Sequence, residues 1–247
     1  MAFLKRVSIT VFSIFSIFII WIILDSIIDN SLILPEPLVV FDSIINIFTD
    51  RQSILSILHT LLRLVISLLV ASILGFILGL LAGLKKGFSY FMNPIVTMLR
   101  TIPVISVIVI ILIILGFDLA PYAITFLMLF PLIYQGIQSG ITHIDKEFID
   151  VYDLEDNNIF TKILHCYIPL IAKDIRTSLL QSLGLGIKVL VMSEYLAQTQ
   201  QSIGNELYMA KTNIEFSEVF AWSFILITIA LLFELIINHY RRIKINL

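Results

Sequence analysis

The sequence predicts an all-α, polytopic membrane protein with about six membrane-spanning helices. Three observations predict it. The 247 residues are 59% hydrophobic and only 14% charged, with mean hydropathy +1.02, whereas a soluble domain needs about a quarter of its residues charged. The apolar residues fall in long blocks, and about 20 apolar residues at ~1.5 Å rise match the hydrocarbon thickness. The basic residues cluster between alternate blocks, as the positive-inside rule requires.

Taken in order, the predicted spans are Val7 to Leu24, Ile54 to Leu84, Ile95 to Leu115, Ala120 to Ile137, Ile175 to Leu196 and Val219 to Ile237. The first follows Lys5 and Arg6, is too long for a signal-peptide core and has no small-residue cleavage site after it, so it reads as an uncleaved anchor. The second exceeds what a bilayer needs and should tilt or protrude. The third is interrupted by Pro103, which can divide it into an interfacial and a buried piece. With the N-terminus inside, the inner segments hold Lys5, Arg6, Lys85, Lys86, Lys146, Lys162, Lys173, Arg176, Arg241, Arg242 and Lys244, and the outer ones only Arg51 and Lys211. Both termini are therefore expected in the cytoplasm of a cell-membrane protein that forms a single transmembrane domain over 1–247.

Two loops carry information. After the first span, Pro35 and Pro37 enforce extended chain, and Val39 to Phe48 fits a short amphipathic helix on the membrane surface. The large polar segment, Gln138 to Lys173 with the loop proper at 139–173, is predicted cytoplasmic. In it Asp145 and Asn158 are candidate helix caps. Ile159, Phe160, Ile163, Leu164, Tyr167 and Ile168 recur at helical spacing before Pro169. Periodicity alone leaves open whether this is a solvated connector or an element that passes force from a soluble partner into the membrane helices.

Within the spans, Ala71, Gly75, Gly79 and Gly83 form a small-xxx-small ladder, which permits close helix packing in lipid. Lys188 lies roughly 20 Å from the cytoplasmic end of the fifth span. A charge at that depth costs about 2.5–3.5 kcal/mol, so it should face protein or a water-filled cavity. It serves either an anion pathway or a structural ion pair. Glu194, six residues on, is not on the same face. Arg63 and Arg100, near the ends of their spans, either snorkel to the headgroups or line a pathway.

Composition excludes several classes. A net charge of −2 gives no reason to expect a nucleic-acid partner, and the one cysteine, Cys166, excludes an internal disulfide framework. The four histidines lack metal-ligand spacing, and no nucleophile–base set or paired carboxylates occur at suitable spacing for an enzyme. No phosphate-binding G-x-x-x-x-G-K-[ST] loop is present.

Several segments, in order, resemble the permeases of type I ATP-binding cassette (ABC) importers. LILPEPLVVFDSIINIF is similar to the family's LPSPxxV segment, with Pro35 and Pro37 matching. HTLLRLVISLLVASILGFILGLLAGLKKGF resembles its second span, including Arg63 and the glycines. NPIVTMLRTIPVISVIVIILIILGF resembles its P…LRxIP…P…G stretch at Pro94, Arg100, Pro103 and Gly116, with Val109 in place of a proline. GLGIKVLVMSEYLAQTQQSIGNELYMAK resembles the KVxxxxE…GIG region at Lys188, Glu194 and Gly204. The cytoplasmic segment resembles the Glu-Ala-Ala coupling loop, with Asp150, Val151 and Tyr152 at that tripeptide, Asp156 at its glycine and Pro169 at its proline; only the proline is identical. The flavour is that of the nitrate/sulfonate/taurine branch.

The resemblance implies the type I importer permease fold. The chain would pair with a second permease subunit, as a homodimer, and dock two cytoplasmic ATPases through Asp150, Val151, Tyr152, Asp156 and Pro169. An extracytoplasmic solute-binding protein would deliver a small, anionic solute. ATP and Mg²⁺ would be bound in the partner ATPase, with no cofactor or metal on this chain. Lys188, Glu194, Arg63, Arg100 and Pro103 are the candidate pathway residues, and Gly75, Gly79 and Gly83 the packing residues. The competing reading is an ATP-independent channel or secondary carrier, which leaves the docking-like loop without a role.

Overall fold

The computed structural model describes residues 2–28, 30–31, 33–145, 147–149 and 158–245, with backbone alone at 2–11, 14, 234 and 236–245. It is all-helical, with no strand among the described residues. The helices are α1 (Ala2–Ile28), α2 (Pro37–Thr49), α3 (Arg51–Leu84), α4 (Lys86–Thr101), α5 (Val104–Thr142), α6 (Ile159–Leu170), α7 (Ala172–Ala197), α8 (Ile203–Thr212) and α9 (Phe216–Ile245). Four of the described helices are long and apolar enough to cross a membrane: α3, α5, α7 and α9, the last over Phe216–Phe233.

Local chemistry sets the ends. Pro37 occupies the first turn of α2, where its missing N–H costs nothing. Asp50 caps α3, accepting from the Ser53 amide at 2.7 Å and the Ser53 hydroxyl at 2.8 Å. Asn158 caps α6 by accepting from the Phe160 amide at 3.0 Å. Pro169 does not stop α6. The preceding turn, Ile163–Tyr167, widens into a π-helix, and the break comes at Ile171.

The third predicted span, Ile95 to Leu115, divides where Pro103 predicts: the chain breaks at Ile102–Pro103 between α4 and α5. The next reversal lies at Gly116, whose φ of 73° and ψ of 179° suit a residue without Cβ and divide α5 into arms at 104–115 and 117–142. The arms must fold back on each other. Arg100 hydrogen-bonds Gln135, yet a straight helix over the intervening residues would separate the two by roughly 45 Å.

The second arm of α5 is the central post. Ideal Cβ atoms on Gly75, Gly79 and Gly83 would meet Ile133, Ile137 and Ile141 at 2.9, 2.9 and 2.7 Å, so α3 runs parallel to it in four-residue register. On the other side, Gly136 lies against Ser178 and Gly140 against Asp174 and Ile171, so α7 runs antiparallel. Dispersion between closely approached backbones supplies the attraction that water would supply elsewhere. The buried stripe of α3 is accordingly mostly small: Ser56, Thr60, Leu64, Ser67, Ala71, Gly75, Gly79 and Ala82. Many of its larger apolar side chains, such as Leu62 and Ile73, are exposed. A second core joins α2, α8 and α9 around the fully buried Trp222.

Candidate functional site

Two charged residues of α7 lie in opposite surroundings. Glu194, in its last turn, is fully buried and pairs with Arg63 of α3 at 3.1 Å. The Thr60 hydroxyl donates to both Glu194 oxygens at 3.1 and 2.9 Å, and the Gly204 amide approaches at 3.4 Å. Thr60 in turn accepts from the Ile203 amide at 3.0 Å. The Arg63 guanidinium also donates to the carbonyls of Gln201 and Gln200, at 3.2 and 3.3 Å. Each charge therefore has several partners, which is what allows an ion pair to persist away from water.

The local backbone is shaped to build this cluster. α7 ends at Gln198 in the left-handed conformation, φ 50°, with its amide and that of Thr199 returned to the last-turn carbonyls. Ser202 caps α8 through the Asn205 amide at 3.0 Å. Gly204 sits so close to α7 that a Cβ would lie 2.4 Å from the Tyr195 nitrogen, so no other residue fits. Ser56 adds a link from α3 to Glu206 of α8 at 2.7 Å. The sequence reading missed Ser56, Thr60, Glu206 and helix α8. The available signal was the four-residue spacing of Ser56 and Thr60, with Arg63 following, in an otherwise apolar span.

Lys188 is exposed, as are Gln181 and Gly184 on the same face. A Cβ on Gly184 would meet nothing within 4 Å. With Ala230, Leu231 and Phe233 of α9 these residues line a cavity of about 400 Å³. The structure thus does not bring Lys188 and Glu194 together: one faces out of the bundle, the other into the clamp it forms with Arg63. Arg100 is exposed on α4 and bonds Gln135, while Gln138 donates to Ser89 at 2.7 Å, fastening α4 across the post. Pro103 stands at the start of α5.

Of the predicted coupling residues, Asp150, Val151, Tyr152 and Asp156 lie outside the described residues; Pro169 is exposed in α6. Helix α6 has two faces. Tyr167 and Ile171, just beyond its end, join the same buried cluster as Ile137 and Ile141, whereas Ile159 and Phe160 are 60% and 67% exposed. Among the described residues no group of three or more His, Cys, Asp or Glu side chains is placed to hold a metal. What the arrangement offers is electrostatic and mechanical: a locked end of α7, a charged open face and a short apolar helix tied to the central post.

Residues 75–243, over half of the chain, match the family described as binding-protein-dependent transport system inner membrane component. The chain belongs to that family. It is therefore an ABC transporter permease component, a multi-pass membrane protein of a family that generally works with ATPase and binding-protein partners. The match covers the glycine ladder, the α5 hairpin, Lys188, Glu194 and α8 in one stretch. No curated protein sequence matches the permease.

Proposed function

We propose that this permease is the membrane subunit of an ATP-driven importer and that two copies enclose the pathway for a small anionic solute. The observation that carries the reading is the open face of α7. Lys188, Gln181 and Gly184 are uncovered in the single chain, although a lysine on a membrane-spanning helix must face protein or water. A second permease chain opposite that face would enclose the cavity of about 400 Å³ beside Lys188. A positive group there suits nitrate, sulfonate, taurine-like or acidic vitamin-precursor solutes, in keeping with the resemblance to the nitrate/sulfonate/taurine branch.

Six crossings follow if α1, α3, the two arms of α5, α7 and α9 each traverse the bilayer. The first arm rises only about 18 Å, and the last turns of α4 complete that crossing. The distribution of Lys and Arg supports a cytoplasmic position for both termini and α6. There the exposed Ile159 and Phe160 meet one of two ATPase subunits, which bind ATP and Mg²⁺, and Tyr167 and Ile171 pass the movement to α5. An external binding protein delivers solute at the opposite end.

Reconstitution with the ATPase and binding protein in liposomes tests this reading. Solute should accumulate only with ATP and binding protein present. Downhill flux of solute without ATP would instead make the protein a channel or carrier and defeat the proposal.

A further inference from the structure

A cavity of about 580 Å³ lies between the C-terminal part of α1, the start of α2 and α9, and shares no lining residue with the cavity beside Lys188. Its wall is aromatic. Trp21 stacks on Phe224 at 5.5 Å and on Phe220 at 5.9 Å, with Phe18 edge-on at 5.8 Å; Phe41 of α2 contributes to the opposite side. The Trp21 Nε1–H donates to the Pro35 carbonyl at 3.2 Å, which brings the Pro35–Glu36 corner beside the end of α1. Two carboxylates consequently line one cavity: Asp25, half-buried one turn beyond Trp21, and Glu36.

Among the described residues, none of those lining this cavity is basic. Residues 25–50 hold Asp25, Asp29, Glu36, Asp42 and Asp50 and not one Lys or Arg, and 216–233 of α9 is equally without a basic residue. A largely apolar groove lined by two carboxylates is complementary to an amphiphile with a cationic head. Aromatic faces add to that preference, since they attract ammonium groups.

We infer that this cavity binds one phospholipid with a primary ammonium headgroup, of the ethanolamine type. An acyl chain lies along the aromatic groove and the ammonium pairs with Asp25 and Glu36. The inference requires only that the chain be embedded in a bilayer, so it stands or falls separately from the transport reading. An anionic lipid would place its phosphate against two carboxylates, which counts against it. A second protein copy pressed into the groove would bury those carboxylates without a partner.

The test is native mass spectrometry of the full-length protein released from vesicles of equal phosphatidylethanolamine and phosphatidylglycerol. Retained ethanolamine lipid should exceed glycerol lipid by about fivefold, the size of one exposed ion pair with a cation–π contact. The Asp25→Asn/Glu36→Gln variant should lose that excess while keeping its helix content. Vesicles in which the ethanolamine nitrogen is acetylated should abolish it with no change to the protein. Equal retention of the two lipids by the unaltered protein, or an excess that survives acetylation, overturns the inference. So does displacement of the lipid by transported solute, or a dimer that excludes it.

Discussion

Lys188 and Glu194 stand six residues apart on one helix, and to the sequence they are the same kind of object, a charge in an apolar span. The fold treats them oppositely. Glu194 is turned inward, with Arg63, Thr60 and the Gly204 amide gathered on its two oxygens. Lys188 is turned outward beside an open cavity. The difference teaches that depth in the membrane does not define a charge's role; the supply of partners does. A charge satisfied within its own chain holds the structure together, and one left open is available to a partner or a solute.

The strongest way to break this comparison is at the clamp. Glu194→Ala should destabilise the protein by about 3 kcal/mol or more, because it leaves the Arg63 charge without its carboxylate. Denaturant unfolding in detergent reads this directly. Replacing both partners, as Arg63→Met/Glu194→Met, should recover a large part of the loss, since two apolar groups need no partners. If the double variant is no better than the single one, the pair is not a self-contained unit.

The central post comes next. Gly79→Leu places side-chain atoms where a Cβ alone would lie 2.7 Å from the Tyr134 carbonyl oxygen. Forcing α3 from α5 should cost about 1–3 kcal/mol, seen as a lower midpoint and impaired assembly. Normal stability and transport in that variant would mean the helices are not held at this spacing. Smaller still is Ser56→Ala, which removes one hydrogen bond to Glu206; about 1 kcal/mol is expected. It sharpens how much α8 depends on α3 beyond the Arg63–Glu194 pair.

At the other end of the scale, Lys188→Met should change stability by less than about 0.5 kcal/mol. The same variant should lower solute uptake in liposomes about tenfold, the worth of one charge-assisted contact. Unchanged uptake would remove Lys188 from the pathway. A large loss of stability would make Lys188 and Glu194 the same kind of residue after all.

Much of the fold was legible because membrane crossing is a property of local composition. The apolar blocks that became α3, α7 and α9, the short helix at Pro37–Thr49 and the Asn158 cap all depend on residues close together in sequence. The α5 hairpin was only half legible. Pro103 announced a break, but Gly116 decided where the chain reverses, and a single glycine in an apolar run gives no such signal by itself. Helix α8 was missed because its 10 residues are neither long nor apolar, and its position depends on Gly204 meeting α7.

By itself, the sequence determined that this chain lives in a bilayer, how its apolar blocks are distributed and which small residues permit close helix contact. Those follow from hydrocarbon thickness, backbone hydrogen bonding and side-chain volume, each set residue by residue. Only the tertiary structure decided that Arg63 would find Glu194, 131 positions away, and that Lys188 would be left open. In lipid the greasy side chains face outward as readily as inward, so hydrophobicity cannot choose a helix's inner face. Close backbone approach and the need to satisfy each buried charge make that choice, and both exist only once the helices have met.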